Sequence, residues 1–334
     1  NFMLKNKSIL VTGGTGSFGK RFISKIIKFK PKKIIIYSRD EMKQYDLQKE
    51  WPVTDKNPFR YFIGDIRDIE RLKIAMENVD YVIHAAALKH VPLAEYNPFE
   101  AIKTNIIGAQ NVIDAALHNN VKKIIALSTD KAAAPINLYG ATKLASDKLF
   151  IAANNYRGNK KIKFSVVRYG NVLGSRGSVI PFFLSLKNKD YFPVTDKRMT
   201  RFNITLDQGV DFVISSLYKM WGGEIFVPKI PSYKITDILR AINSKAKMKN
   251  IGIRPGEKLH EYMITKDDSI NTVEFKKYFV ILPPSKLWNV NKFLKKDITD
   301  IGKFKKYGFE YNSLDNKQFL SVEILKKLIK ELVK

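Results

Sequence analysis

The first half of the chain alternates short, mainly apolar runs with stretches of helical period. The runs that predict buried strands cover residues 8–12, 33–37, 60–64, 79–84, 123–128 and 164–168. The stretches that predict helices cover residues 20–29, 98–119 and 138–154. Apolar strands without polar alternation, separated by helices, are typical of a parallel sheet covered on both faces. The pattern therefore predicts a doubly wound α/β fold.

The pattern loosens after residue 171, where glycines and prolines interrupt it. We expect a helix over residues 205–220, begun by Thr205 as N-cap with Gln208 three positions later. A strand over 223–228 and a final amphipathic helix over 322–333 follow. Two domains are predicted, and their segments are 1–172 with 203–228 for the large sheet domain, and 173–202 with 229–334 for a smaller mixed α/β domain.

Composition narrows the class of protein. The chain has 334 residues, of which 45% are hydrophobic, so it can bury a large core. Cysteine is absent, which excludes a disulfide scaffold, a zinc ribbon, an iron–sulfur cluster and a cysteine nucleophile. No apolar run approaches the roughly 20 residues of a membrane span, and the polar start does not resemble a signal peptide. We expect a soluble cytoplasmic protein.

The net charge of +27 raises the question of an anionic partner. Nucleic acid, an anionic membrane and a small phosphorylated ligand are the three options. The basic residues are spread along the chain, with only short clusters at 28–33 and 160–163. A nucleic-acid-binding module predicts clustered charge instead, so it is the weaker alternative, and we expect neither a nucleic-acid nor a membrane partner.

A glycine-rich turn follows the first strand and opens the first helix. Gly14, Gly16 and Gly19 fit the spacing G-x-G-x-x-G, and Gly13 with Gly16 and Gly19 fits a looser form. Glycines let the backbone approach a pyrophosphate, and the helix N-terminus supplies N–H donors. This context predicts a Rossmann-like dinucleotide site. Its other contacts within the turn are Thr15, Ser17 and Phe18.

The end of the second strand bears on the choice of dinucleotide. An acidic residue there usually holds the ribose hydroxyls of NAD. Here Ser38 and Arg39 offer a hydroxyl and a planar fork to a 2′-phosphate, and Lys43 lies one helical turn further on. This favours NADP. The alternative is that Asp40 plays the acidic role and Arg39 is solvated.

The ends of the third and fourth strands complete the predicted cofactor site. Asp65 and Ile66 follow the third strand, where an adenine edge would lie. Ala86 lies in a run of three alanines after the fourth strand. Small residues there let the backbone pass close to a cofactor, although ordinary close packing explains the alanines nearly as well.

A candidate for chemistry follows the fifth strand. Tyr139 and Lys143 are four residues apart and share one helix face, and Thr129 precedes them. A phenol with a pKa near 10 is a poor base at neutral pH, but a nearby ammonium and a nicotinamide cation favour the phenolate. Together the three residues predict an alcohol-oxidation site, in which Tyr139 takes the proton and NADP the hydride.

These motifs resemble those of the extended short-chain dehydrogenase/reductase superfamily. The segments 85–92, 128–133, 168–172 and 252–258 narrow the resemblance to UDP-N-acetylglucosamine 4,6-dehydratases. The C5-inverting subgroup, which begins pseudaminic acid synthesis for flagellin glycosylation, is the most similar. Larger C5-retaining relatives usually have Met in place of Tyr139.

The resemblance implies a second acid/base pair beside the oxidation site. Lys131 would remove the C5 proton, and Asp130 would assist the departure of the C6 hydroxyl as water. Both would have to face the sugar, so the chain must already turn at Asp130. A purely structural ion pair between them is the alternative. Two other enzymes are alternatives: a C5-retaining 4,6-dehydratase, and a UDP-sugar C4 epimerase, which needs no such pair.

The resemblance also implies the ligands and their contacts. UDP-N-acetylglucosamine would be the substrate, with NADP as cofactor. The residues placed around UDP are Asn171, Arg176, Thr195, Arg254 and Glu257. Lys89 and Thr104 would lie near the sugar or the nicotinamide, and Arg198 and Arg201 are further phosphate candidates. The four histidines show no metal spacing. Relatives pair through helices matching 98–119 and 138–154, so we expect a homo-oligomer, a hexamer by resemblance.

Overall fold

The computed structural model describes residues 3–174, 179–186, 188–189, 191–245 and 247–333. A ten-stranded sheet dominates this part of the chain. Its strands, in chain order, are β1 Ser8–Thr12, β2 Lys33–Ser38, β3 Phe59–Ile63, β4 Tyr81–His84, β5 Lys123–Thr129, β6 Lys163–Tyr169, β9 Ile225–Pro228, β13 Thr272–Glu274, β14 Tyr278–Ile281 and β15 Lys303–Phe304. The numbers missing from this series belong to strands outside this sheet, which are given below. All six strands predicted from the apolar runs are present. The predicted α/β class is confirmed.

The order of the strands creates the crevice in which a ligand can bind. Across the sheet the order is β3-β2-β1-β4-β5-β6-β9, all parallel, and then β14-β13-β15, antiparallel. The chain runs outward from β1 to β3 and then returns to β4 on the other side of β1. Such a reversal opens a crevice at the carboxyl ends of β1 and β4.

The smaller strands pair in twos outside the large sheet. They are β7 Tyr191–Val194 with β11 Lys247–Asn250, β8 Thr200–Phe202 with β10 Ser232–Lys234, and β12 Tyr262–Ile264 with β16 Tyr311–Asn312.

The helices cover the faces of the sheet and form part of the smaller unit. They are α1 Ser17–Ile26, α2 Glu41–Glu50, α3 Ile69–Ala75, α4 Val91–Tyr96, α5 Pro98–Ile102, α6 Gly108–His118, α7 Leu138–Tyr156, α8 Val179–Ser185, α9 Leu206–Lys219, α10 Ile235–Ile242, α11 Val290–Leu294 and α12 Val322–Val333. The predicted capping box is confirmed, because Thr205 and Gln208 bond reciprocally at the start of α9.

One predicted helix is interrupted. Between α5 and α6 the segment Lys103–Ile107 forms a π-helical turn, so residues 98–119 are not one uniform helix. The wider turn places Thr104 on the wall of the main cavity. Apolar spacing does not reveal such a turn, and π-turns are frequent at functional sites.

Two separate apolar clusters underlie the sheet and the smaller unit. The smaller cluster joins α8, β7, α10 and α12, in agreement with the segments assigned to a smaller domain. The stretch from β13 to β15 differs from that assignment, because it extends the large sheet. Each of these strands is short, and β14 pairs with a strand about 50 residues away in the chain, so no local pattern indicates where they belong. The two-domain division itself remains a prediction.

Candidate active site

The main cavity lies outside the carboxyl ends of β1, β4 and β5 and extends to the smaller unit. Its volume is about 1640 Å³. Sites for one small molecule usually measure ~300–1,000 Å³, so this space suits two ligands side by side. Of the site residues named from the sequence, all line this cavity except Gly14, Asp130, Arg176 and Arg198. Arg176 lies outside the described residues.

The glycine-rich turn forms the floor at one end of the cavity. Gly13 has φ +67°, and a Cβ on it would come within 3.0 Å of the backbone of Ala86, so the turn and the end of β4 approach without a side chain between them. The N–H of Gly13 donates to the carbonyl of Tyr37 at 2.9 Å. The turn is thus fixed to the neighbouring strands, with the N-terminus of α1 open to the cavity.

The end of β2 presents a basic group, and its acidic neighbour is already engaged. Asp40 caps α2 by accepting from the N–H of Lys43 at 2.9 Å, and it also pairs with the Lys43 amine. Arg39 is half-exposed, lines the cavity and lies 3.5 Å from Asp65. The Thr15 hydroxyl donates to the hydroxyl of Ser38 at 3.0 Å. The cavity wall at the end of β2 therefore carries a half-exposed guanidinium, paired at 3.5 Å with Asp65, while Asp40 is engaged as a helix cap.

The predicted turn after β5 is confirmed. Thr129 ends the strand, and the segment from Asp130 to Ala132 forms a single 3-10 turn. α7 packs against this turn so closely that a Cβ on Gly140 would come within 2.2 Å of the Lys131 carbonyl oxygen. The close approach fixes the chemical side chains of β5 and α7 relative to one another.

The two members of the second pair differ in access to the cavity. The Lys131 side chain lines the cavity, and its amine lies 3.2 Å from Asp130 Oδ1 and 3.3 Å from Asn171 Oδ1. Asp130 is fully buried behind it, and its Oδ1 also accepts from the Thr129 hydroxyl at 3.0 Å. The expectation that both side chains face the sugar is therefore wrong for Asp130. The turn that brings Lys131 to the cavity points Asp130 inward.

The charge states around this turn are set by burial and by a second carboxylate. Burial alone lowers the pKa of Lys131, but the carboxylates of Asp130 and Glu261 outweigh it and raise that pKa above its usual value. Burial raises the pKa of Asp130, and Lys131 counters it only in part. The amine is therefore held as an ammonium, and Asp130 is the carboxylate more ready to accept a proton.

Tyr139 and Lys143 line the cavity from one face of α7. Burial raises the pKa of Tyr139 to about 12, and Lys131 is the cation that lowers it in part. The expectation that Lys143 performs this task differs from the structure. Burial lowers the pKa of Lys143, while Asp147 raises it.

The substrate end of the cavity is lined by residues of the smaller unit. Asn137 caps α7 and donates to the carbonyl of Gly256 at 2.8 Å, which fixes the loop that carries Arg254 and Glu257. Among the described residues, Glu257 Oε2 is buried and lacks a hydrogen-bond partner. It is therefore available to a ligand.

The two further phosphate candidates are both otherwise engaged. Arg201 donates to the carbonyls of Thr200, Leu259 and Lys258 at 2.7, 3.1 and 2.9 Å. Arg198 is exposed and pairs with Asp196 at 2.7 Å.

Several cavity residues were not predicted from the sequence, among them the polar residues Asn203, Tyr233 and Glu261. Asn203 Oδ1 and Glu261 Oε2 are buried without hydrogen-bond partners in the described part of the chain. None belongs to a motif, and they come from separate segments that only the fold brings together. The one signal that the sequence offers for them is a polar residue in or next to a short strand, and its burial follows only from the fold.

Two kinds of feature are absent from the described residues. No group of three or more His, Cys, Asp or Glu in them is arranged to hold a metal ion. Within the same ranges, no helix has the length and apolarity that crossing a membrane requires.

The order of the large sheet and the tyrosine–lysine pair on α7 define a protein of the short-chain dehydrogenase/reductase class. More specifically, the chain belongs to the family described as "Polysaccharide biosynthesis protein", whose model matches residues 9–283.

Individual relatives share nearly the whole chain. It is 57% identical over 331 residues to "UDP-N-acetylglucosamine 4,6-dehydratase (inverting)" of Campylobacter jejuni, covering 98% of each chain. It is 40% identical over 338 residues to "UDP-glucose 4-epimerase" of Rickettsia bellii, covering 98% of this chain and 96% of that one. Among solved structures, Pen from Bacillus thuringiensis is 40% identical, with a TM-score of 0.88 over 99% of both chains.

Proposed function

We propose that the protein is a UDP-N-acetylglucosamine 4,6-dehydratase that inverts C5, with NADP as its cofactor. The observation that carries this proposal is the Lys131 amine on the cavity wall, close to Thr129 and Tyr139. The similarity to the Campylobacter jejuni protein, named for this activity, supports it. The product would be UDP-2-acetamido-2,6-dideoxy-β-L-arabino-hex-4-ulose, which would enter pseudaminic acid synthesis.

The residues present suit a nicotinamide dinucleotide. The glycine turn leaves room for a pyrophosphate, and Arg39 suits a 2′-phosphate while Asp40 is engaged as a helix cap. Thr104 Oγ1 is buried on the cavity wall without a partner among the described residues, so it can bond a ligand. When bound, the dinucleotide would accept a hydride at C4 of the sugar and return it at C6.

The side chains at the turn would handle the protons. Tyr139 takes the proton of the C4 hydroxyl, and Thr129 lines the same cavity. A ketone at C4 then acidifies the C5 proton. Lys131 removes that proton in its neutral form and can pass it to the departing C6 hydroxyl, so the elimination releases one water. Hydride return at C6 leaves an enolate, and a proton from solvent then reaches C5 from the opposite face, which gives the inverted configuration. Because Asp130 lies behind Lys131, we assign it to accepting the ammonium proton, not to contact with the C6 hydroxyl.

The test is incubation of the full-length protein, NADP and UDP-N-acetylglucosamine in D2O, followed by NMR. We expect a 4-keto, 6-methyl product with deuterium at C5, and the H5 coupling reports inversion. Unchanged C6 methylene signals would contradict dehydration. Lys131→Met should abolish water loss while some C4 oxidation remains. The control Lys229→Met, which removes an amine that pairs with Glu274 away from the cavity, should leave turnover unchanged.

The second candidate is a UDP-sugar C4 epimerase, which the Rickettsia relatives favour by their name. An epimerase returns the hydride to C4 and keeps the C6 hydroxyl, so it has no use for a base at Lys131. With UDP-glucose it would yield UDP-galactose without loss of water. Accumulation of that product, with no 6-methyl signal from either substrate, would favour the epimerase.

A homo-oligomer is also proposed, with α6 and α7 at the interface. Analytical ultracentrifugation of the full chain tests it, and a monomer at micromolar concentration would contradict it.

A further inference from the structure

A second carboxylate faces Lys131, and no motif in the sequence indicates it. Glu261 is 2% exposed, lines the main cavity, and places Oε1 3.5 Å from the Lys131 amine. The two residues are separated by 130 positions in the chain, and β12 packs against the turn that follows β5. The pairing is therefore a product of the tertiary fold.

Rigid backbone contacts fix Glu261. Its N–H donates to the hydroxyl of Ser313 at 2.9 Å, and the Ser313 N–H donates back to its carbonyl at 2.8 Å. Arg201 Nε lies 3.6 Å from Glu261 Oε1, while the rest of that guanidinium is bonded to backbone carbonyls. The backbone of Glu261 and the Arg201 guanidinium beside its carboxylate are therefore both held in place.

The two carboxylates beside Lys131 occupy different environments. Asp130 is an adjacent residue in the chain and has no access to the cavity, whereas Glu261 reaches Lys131 from the cavity wall. In the described structure each carboxylate keeps one buried oxygen without a hydrogen-bond partner, Oε2 in Glu261 and Oδ2 in Asp130. An ion pair that served only the fold would satisfy both oxygens, because unsatisfied buried polar atoms are costly.

We propose that Glu261 is a positioning residue for proton removal at C5: held by Arg201 and Ser313, it fixes the Lys131 amine at the cavity wall, opposite Asp130. This inference rests on the proposed dehydratase function. Glu261 acts through Lys131 and does not itself take the C5 proton.

The charges around Glu261 and Lys131 make the proposal testable through the pH dependence of proton removal at C5. The groups facing Lys131 are Asp130, Glu261, Arg201 and Tyr139, and Lys258 acts on Glu261. Burial raises the pKa of Glu261, but Lys131, Arg201 and Lys258 outweigh it and keep the group ionised. The Glu261 charge stabilises the Lys131 ammonium. Replacing it with a neutral amide lowers the Lys131 pKa, so the neutral base forms at lower pH.

The experiment compares wild type with Glu261→Gln and Glu261→Asp as full-length enzymes with NADP and UDP-N-acetylglucosamine in D2O. Deuterium entering C5 is followed from pH 6 to pH 10. We expect the rising limb of the Glu261→Gln profile to move to lower pH by about one unit, because one nearby charge is lost. Glu261→Asp, which keeps the charge but is shorter, should retain the wild-type limb with a rate about tenfold lower.

The control is Glu274→Gln, which removes a carboxylate that pairs with two lysines outside the cavity. Its profile should overlay that of wild type. Superimposable profiles for Glu261→Gln and wild type would overturn the role of Glu261. If Glu261→Gln is inactive at every pH, the outcome depends on Glu261→Asp. An inactive Glu261→Asp would also overturn the role of Glu261, whereas an active Glu261→Asp whose profile rises at the same pH as wild type would support it. Absence of C5 exchange in wild type would instead overturn the proposed function.

Discussion

Asn137 joins the first turn of α7 to the loop beside the substrate end of the cavity. Its Oδ1 accepts from the N–H of Gly140 at 2.8 Å, and its Nδ2 donates to the carbonyl of Gly256 at 2.8 Å. One amide therefore caps the helix that carries Tyr139 and holds the loop that carries Glu257.

Asn137→Ala should reduce both stability and substrate affinity. Loss of an N-cap costs about 1 kcal/mol of unfolding free energy, and the freed loop should raise KM for the UDP-sugar several-fold. Urea unfolding and steady-state kinetics measure the two effects. The matched control is Asn289→Ala, which removes the N-cap of α11 away from the cavity. An unchanged KM in Asn137→Ala, or an equal rise in the control, would contradict the link to the loop.

Tyr139→Phe should block oxidation at C4. Removal of a positioned general base typically costs ~10²–10⁴-fold in rate, while the ring still fills its place on α7. Single-turnover appearance of reduced cofactor measures this step. Tyr156→Phe, on the same helix but half-exposed, should behave as wild type. If Tyr139→Phe oxidises the sugar at the normal rate, another group is the base.

Arg39→Ala should weaken NADP binding and leave NAD binding nearly unchanged. The guanidinium at the end of β2 is half-exposed on the cavity wall and only loosely paired, 3.5 Å from Asp65, and a charge-assisted bidentate contact to a phosphate contributes about 1.5–3 kcal/mol. Titration of each dinucleotide, followed by protein fluorescence, gives the ratio. Arg198→Ala serves as the control, because that arginine is exposed and lies off the cavity wall. Equal loss for both dinucleotides would contradict the preference for NADP.

Gly140→Ala should destabilise the fold. The added Cβ would come within 2.2 Å of the Lys131 carbonyl oxygen, so the turn or the helix must shift, and overpacking of this kind typically costs about 1–3 kcal/mol. Gly209→Ala, inside α9, meets its nearest atom at 3.9 Å and should stabilise the protein by up to about 1 kcal/mol. Equal unfolding midpoints in urea for Gly140→Ala and wild type would contradict the close packing.

The features predicted from the sequence are those with a local signal. Apolar runs indicated the parallel strands, and the spacing of Tyr139 and Lys143 indicated a shared helix face. The turn at Asp130 was expected because Asp130 and Lys131 were both to face the sugar, and the structure has the turn although Asp130 is buried. The identity of the ligands came from resemblance, since residue chemistry alone indicates an anionic dinucleotide but does not identify the sugar nucleotide that would bind beside it.

The features that were missed depend on distant contacts. Glu261 meets Lys131 only because β12 packs against the turn after β5. The inward direction of Asp130 depends on the handedness of a single 3-10 turn, which no residue pattern specifies. Likewise, the pKa of Tyr139 is dominated by burial, and burial follows from the fold as a whole.

The antiparallel extension of the large sheet has a consequence for truncated forms of the chain. β14 satisfies the outer backbone groups of β9, and β13 does the same for β14. A fragment ending before residue 272 would leave β9 as an apolar edge with unpaired N–H and C=O groups, a template on which a second molecule can add a strand. Such a fragment should therefore self-associate and precipitate even though it retains the whole glycine turn and α7.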